Sequence, residues 1–276
     1  MSMITNSQMK ILEALARYTF LTVPLIDTLK IFKNPISIYR SLKGLKERSK
    51  PLIITQSFGV HPTRGQLHSL IYLSQYAKEI LLDNGFKEED INIPSQKTFV
   101  STDYFHRVAN LQTHVSMDLY LQSLENANII FLDYYFSKIT KNKEQYSRAL
   151  NRIDLDDDKY MIPDIVTKFQ VDDKEYLYLI EIHNGDNSNK AFAQCLQHIK
   201  AINLGSPKTK YKHSKNNRVV FIFEQEACMN SVMKKMNSTE GLQKYLNLFL
   251  FKTINEIKDN FATEWLKFNN ELTIFL

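Results

Sequence analysis

Asp164, Glu181 and His183 are the side chains whose types and spacing best support chemistry. Asp164 follows Pro163 in a strand-like run spanning Tyr160–Val171. Glu181, Ile182 and His183 end a second run spanning Glu175–His183, and Asp172-Asp173-Lys174 form the turn between them. Paired in register, the open end of that hairpin would bring the two carboxylates together. Two convergent carboxylates make an oxygen-rich pocket suited to Mg²⁺ or Mn²⁺. Such an ion can hold a scissile phosphate, stabilise developing charge and acidify a bound water. The backbone carbonyl of Ile182 is a possible additional ligand. Strand side chains alternate, so Glu181 and His183 share a face while Ile182 points away.

The same alternation makes Glu181 conspicuous. Leu177, Leu179 and Glu181 fall on one face, so an acid continues an apolar row. A buried charge is costly unless it is paired or bound to metal. The competing reading puts Glu181 at a solvated strand end beside Asn184-Gly185. The local spacing leaves the two open, and Asp164 taken alone reads as a turn or cap residue.

These residues need a scaffold. Asn128–Tyr135 reads as a buried strand, preceded by a long helix from Asp103 to about Glu125. A helix over roughly Asn189–Asn203 follows the hairpin, then a basic loop with Lys208, Lys210, Lys212 and Lys215, then a strand over Arg218–Glu224. Residues 227–260 read as mainly helical, with Leu246–Phe251 as a possible strand. Gln194 and Gln197 lie three apart on the helix after the hairpin, where they could contact a substrate backbone or simply face solvent. His106 and His114, two turns apart, read as structural histidines, with Asp118 spaced to pair with His114.

The amino-terminal part has a different pattern. Residues 7–18 form an amphipathic helix with Asn6 or Ser7 as its cap, and Thr22 opens a second helix. Asn34-Pro35 caps a third, in which Ile38, Leu42 and Leu45 make one apolar stripe. Two β-like runs around the turn HPTRGQ then read as a hairpin carrying His61 and Arg64 at its tip. A helix from Gln75 ends at Gly85. Three helices followed by a hairpin is a winged helix-turn-helix layout, whose third helix would enter the major groove. Its DNA-facing set would be Ser37, Tyr39, Arg40, Lys43, Lys46 and Arg48, with Arg64 on the wing. The segment 86–102 marks the expected boundary between a winged helix at 1–88 and a second domain at 100–276.

Charge supports this division. Residues 1–78 hold eleven Lys/Arg against three acids, in a chain whose formal net charge is only +5. A basic module joined to an acid-bearing one suits phosphate capture followed by cation chemistry, although a solvated basic face gives the same count. Cys195 and Cys228 lack metal-site spacing, which argues against a disulfide scaffold or cysteine zinc site. No apolar run has the length of a membrane span and the first ten residues lack a signal-peptide core. These features predict an intracellular, cytoplasmic chain without a membrane partner.

Pro163-Asp164, the hairpin and Glu181-x-His183 together resemble the PD-(D/E)xK restriction-endonuclease superfamily. The wider order is a winged helix, His106-Arg107 opening a long helix, M-I-P-D-I-V, L-I-E-I-H-N-G-D, then a helix with Gln194, Gln197 and Lys200. Over roughly residues 7–225 this resembles the replication-relaxation family of mobile-element proteins, which includes the MOBC class of conjugative relaxases. The resemblance implies an α+β fold, with a central mixed sheet flanked by helices behind the winged helix. It implies metal-dependent nicking of double-stranded DNA at a plasmid transfer origin, with nicked DNA as product. Further mobilisation or replication proteins and a homodimer are possible partners.

Carried over by residue, Asp164 and Glu181 would be metal ligands. His183 takes the place of the superfamily's lysine, as a ligand or proton acceptor. Lys190 or Lys200 would supply the missing cation. A covalent mechanism would need a tyrosine among Tyr104, Tyr134, Tyr135, Tyr160, Tyr176, Tyr178 and Tyr211, whereas an activated water would not. The alternatives are a non-catalytic DNA-binding accessory protein with a degenerate nuclease core, or a restriction-like endonuclease.

Overall fold

The computed structural model describes residues 3–94, 103–139, 148–156 and 158–276. Part of the expected boundary segment and part of the charged run before Asp158 therefore lie outside the described residues. Contacts divide the chain into two compact units, Met1–Val115 and Ser116–Leu276. The division falls later than the sequence boundary.

The first unit opens with α1 (Asn6–Tyr18), capped by Thr5 rather than by Asn6 or Ser7. Thr5 and Gln8 satisfy each other's backbone N–H groups in a capping box. Next come α2 (Val23–Thr28), capped by Thr22, and α3 (Pro35–Lys46), capped by Asn34 with Pro35 at its start. Ile38, Leu42 and Leu45 are the buried stripe of α3. Strand β1 (Ile53–Gln56) is followed by the small pair β2 (Val60–His61) and β3 (Gly65–Gln66), then β4 (Leu70–Leu73). β1 and β4 run antiparallel from Ile53↔Leu73 to Gln56↔Leu70, and Leu21 bridges to Ile71 on the other side of β4. α4 (Gln75–Asp83) follows, and Gly85 adopts φ +88° just past its end.

α5 (Tyr104–Gln122) begins in the first unit and ends in the second. Its Tyr104 donates a hydrogen bond to the His68 carbonyl at 2.8 Å.

The second unit is built on a mixed seven-stranded sheet. β5 (Ala127–Tyr134) is its edge strand. Short pairs β6 (Lys138–Ile139) with β7 (Arg148–Ala149), and β8 (Ile153–Asp154) with β9 (Tyr160–Met161), lie outside it. The hairpin β10 (Ile165–Val171) and β11 (Lys174–His183) follows, then α6 (Ser188–Leu204), α7 (Ser206–Tyr211) and β12 (Arg218–Phe223). α8 (Glu226–Ser238), β13 (Phe249–Thr253), α9 (Ile254–Asp259), β14 (Trp265–Leu266) and β15 (Leu272–Thr273) complete it. The sheet order is β15-β14-β13-β12-β11-β10-β5. β10 is antiparallel to both of its neighbours, β5 and β11, while β11, β12 and β13 run parallel, with α6 in the crossover from β11 to β12.

Four sequence expectations need correction. The run from Tyr160 to Val171 is two strands, because Pro163 lacks an N–H and constrains Ile162 before it. β9 pairs with β8, and only β10 enters the main sheet. The strand read as buried, β5, is largely half-exposed, with Ile130 open to solvent, because it closes one side of the sheet. The basic loop begins as helix α7, with Pro207 in its first turn. The Leu246–Phe251 run is divided between a 3-10 turn at Gln243–Leu248 and β13.

Both faces of the sheet are covered. On one, α6 and α8 bury Ala191, Cys195, Val232 and Met236 against Phe221, Phe223 and Phe251. On the other, Tyr178, Phe169 and Tyr120 meet Phe275 near the chain's end. Lys252 is buried on β13. Its ammonium donates to the carbonyls of Asn260 and Thr263, each at 2.5 Å, and lies 5.5 Å from the Trp265 ring centre. Burial holds that ammonium below the ordinary lysine range, with Glu256 and Glu264 opposing the shift. Lys252→Ala strips both carbonyls of their donor and leaves a void, so it should cost about 2–4 kcal/mol. Urea unfolding checks this; a midpoint equal to the parent's would contradict the role.

Candidate functional site

The register of the hairpin fixes where the two carboxylates meet. β10 and β11 pair through Ile165↔Ile180, and one further step sets Asp164 opposite Glu181. Directly opposed residues in an antiparallel pair project to the same face. The charge of Asp164 accordingly acts on Glu181.

Asp164 is held by its surroundings at several points. Its Oδ2 accepts the Ile182 N–H at 2.7 Å, and its own carbonyl accepts the Tyr135 N–H at 2.9 Å. The preceding carbonyl, of Pro163, accepts the side-chain amide of the fully buried Asn151. Pro163 stops the strand, and these bonds set the orientation of the residue after it.

Glu181 is only 3% exposed. Its Oε1 lies 2.7 Å from Nε2 of His198, itself 1% exposed, and its Oε2 accepts from Gln194 Nε2 at 3.3 Å. Burial pushes the Glu181 carboxyl well above the usual carboxylate range. Asp164 adds to the shift and Lys190 opposes it. His198 is driven to about 3 by burial and by His183, so its imidazole is neutral at physiological pH. The choice between a solvated strand end and a buried acid is thereby resolved towards burial.

His183 has a different environment. Its ring stacks on Phe221 at 5.6 Å and on Phe223 at 5.1 Å, in the row of phenylalanines that continues to Phe251. Parallel pairing of β11 with β12 sets His183 beside Phe223 and Glu181 beside Phe221. Among the described residues, no three His, Cys, Asp or Glu side chains come together closely enough to hold a metal ion. The expected trio of Asp164, Glu181 and His183 is therefore not assembled as a ligand set. The carboxylate pair alone fits a hard divalent cation that completes its shell with water and phosphate oxygens.

Lys190, on the exposed first turn of α6, is the cation that acts on Glu181. Lys200 does not serve there, because it pairs with Asp156. Gln194, read as either a substrate contact or a solvent-facing group, contacts Glu181, while Gln197 donates to the Tyr160 carbonyl at 3.1 Å. His114 packs edge-to-face on Tyr18 at 4.7 Å. Of the tyrosines, Tyr104, Tyr134 and Tyr178 are buried, and burial raises the Tyr104, Tyr178 and Tyr211 hydroxyls above the ordinary phenol range. Tyr160 is exposed, with the Arg152 guanidinium 3.9 Å from its ring centre.

The predicted DNA-facing residues fall into separate groups. On α3, Tyr39, Arg40, Lys43 and Lys46 are exposed and Ser37 half-buried, with Ile36 as an exposed apolar group; Arg48, half-buried, lies just past the helix end. Lys43 lies 3.9 Å from Glu47 in a solvated pair, which holds it only weakly. Arg64 does not simply extend from the turn between β2 and β3, since its guanidinium sits 4.3 Å from the Phe105 ring centre. Lys210, although exposed, is engaged by backbone, donating to the Leu150 carbonyl at 2.6 Å and to that of Arg152. Its ammonium is held below the usual range by burial, against the pull of Asp133 and Asp154. Lys212 is exposed in a left-handed turn and Lys208 is half-buried.

Sequence reasoning missed His198 and Asn151. His198 was legible by the logic that singled out Glu181: it falls in the buried α6 row with Ala191, Cys195 and Ile202. Asn151 had no comparable signal, because its role depends on a contact twelve residues along the chain.

The neutral burial of His198 has a pH consequence. The unfolded chain protonates this histidine near its ordinary value of 6.5, the folded chain only near 3. Below pH 6.5 the unfolded state takes up the extra proton, so this group lowers stability as pH falls. Between pH 7.5 and 5, the stability of His198→Gln relative to the parent should rise by about 2 kcal/mol. Denaturant titrations at both pH values provide the measurement, and a gap independent of pH would contradict it.

No family model matches the chain, and no curated protein matches it either.

Proposed function

We propose that this chain binds duplex DNA through the exposed face of α3 and cleaves a phosphodiester bond at Asp164 and Glu181 with a divalent cation. The observation that carries the reading is the in-register carboxylate pair, one member deeply buried and repelled by the other. Like charges held together in a partly desolvated site favour either a proton or a cation between them. A bound Mg²⁺ or Mn²⁺ would supply charge stabilisation at the phosphate and a more acidic water. Asp164 and Glu181 would hold it, Lys190 would add positive charge at the site's edge, and His183 would flank it.

Three features support the larger assignment to a winged helix joined to a PD-(D/E)xK-type domain. The first unit has three helices, then a β pair enclosing a small hairpin, with Leu21 adding a third strand contact. The second has a central mixed sheet flanked by helices, and both acids come from one hairpin of that sheet. On α3, cations stand on the face opposite the buried stripe, as phosphate contacts in a groove require. Nicking at a plasmid transfer origin, as in relaxases, is the activity that the resemblance attaches to this arrangement.

A second reading, a DNA-binding accessory protein without cleavage, is favoured by one observation. His183 stands where the superfamily has lysine and is stacked among phenylalanines. Supercoiled plasmid incubated with the chain and Mn²⁺ separates the readings. Relaxed circles indicate a nicking enzyme, linear product a restriction-like one, and intact plasmid with retained binding the accessory protein. Asp164→Asn and Glu181→Gln should each abolish nicking while changing duplex affinity less than threefold; nicking at the parent's rate by either would remove that residue from the site.

Lys43→Ala and Lys46→Ala should each weaken duplex binding and lower the magnitude of its logarithmic salt slope by about one unit. Fluorescence anisotropy across a salt series measures both. A slope identical to the parent's in both variants would take α3 out of the interface.

A further inference from the structure

The Glu181 carboxylate contacts two side chains of α6, and both are uncharged. Gln194 and His198 stand four residues apart, on one face of that helix. Gln194 reaches Oε2 and His198 reaches Oε1. A buried carboxylate needs hydrogen bonds to offset the loss of water. A lysine or arginine at position 198 would supply them and a counter-charge as well. An imidazole N–H and an amide N–H supply such bonds to one oxygen each.

His198 has no other polar partner to account for its burial. Its Nδ1 has no hydrogen-bond partner among the described residues. Around the ring are Phe221, at 5.8 Å and edge-on, and the apolar row of α6 that includes Cys195 and Ile202. An aliphatic residue would fill such a place without an unsatisfied nitrogen. The single bond to Glu181 is what a histidine adds there. Each carboxylate oxygen has two acceptor directions, so one donor per oxygen leaves room for a cation on the same group.

We propose that His198, assisted by Gln194, is a positioning residue that fixes the Glu181 carboxylate for a divalent cation. With Glu181 ionised, the Nε2–H tautomer donates to Oε1 and Gln194 donates to Oε2. The proposal rests on the reading of Asp164 and Glu181 as a cation site. It adds that the site's affinity is set from the helix behind it.

Mn²⁺ binding to the full chain, followed by the electron paramagnetic resonance of free Mn²⁺, tests this without reference to activity. His198→Leu removes the donor and should weaken Mn²⁺ binding at least tenfold. His198→Gln can present an amide N–H near the Nε2 position and should remain within about threefold of the parent. His198→Asn keeps a buried polar group but withdraws the donor. It should lose as much affinity as leucine, and it carries the test if the leucine variant fails to fold. Parent-like affinity in the asparagine variant, or equal weakness in the glutamine and asparagine variants, would overturn the positioning role. Asp164→Asn serves as the control for the underlying reading. If the parent binds no Mn²⁺, or Asp164→Asn binds it as the parent does, the cation site and this proposal fall together.

Discussion

A carboxylate shut away from water at the end of a strand is the constraint on which the candidate site depends. Glu181 is almost fully enclosed, and enclosure disfavours its charged form. The fold answers with donors from α6, a cation at the first turn of that helix and a second carboxylate across the hairpin. The second carboxylate raises the cost that the donors reduce. Repulsion of this kind is unfavourable for a structural acid and useful for a group that must accept a cation or proton.

Backbone pairing makes the arrangement specific. A slip of one residue in β10 would move Asp164 to the opposite face of the sheet. Several contacts oppose such a slip: the Tyr135 N–H on the Asp164 carbonyl, the Ile182 N–H on its side chain and the Asn151 amide on the carbonyl before it. Pro163 adds a restriction of its own, because it cannot donate to a continuing ladder. The interrupted strand is thus part of how the acid is aimed. Parallel pairing with β12 similarly sets Phe221 and Phe223 beside Glu181 and His183. A shift of β12 would disturb both the aromatic row and the site.

Much of the fold was legible because it depends on local patterns. Asn34-Pro35 announced the start of α3, the period of Ile38, Leu42 and Leu45 its buried stripe, and alternation in Leu177, Leu179 and Glu181 the face of β11. What failed to show depends on partners distant in sequence. The engagement of Lys210 depends on carbonyls about sixty residues earlier, and the pairing of Lys200 on Asp156. His183 looked like a ligand because its neighbours along the chain are chemical. Its packing is decided by phenylalanines on β12. Thr5 capped α1 in preference to Asn6 or Ser7 because Gln8 completes a reciprocal box only from that position.

The disposition of cations differs between α3 and the second unit. In the second unit, Lys168 pairs with Glu175 at 2.8 Å, Lys200 with Asp156, Lys252 is buried, and Lys210 is engaged by backbone carbonyls. Charges committed to internal partners attract a polyanion weakly, because their fields are largely compensated at a distance. On α3, by contrast, Arg40, Lys43 and Lys46 are exposed, and the Lys43–Glu47 pair is long and solvated. The cations of α3 thus keep fields that these four lysines of the second unit have largely spent on internal partners.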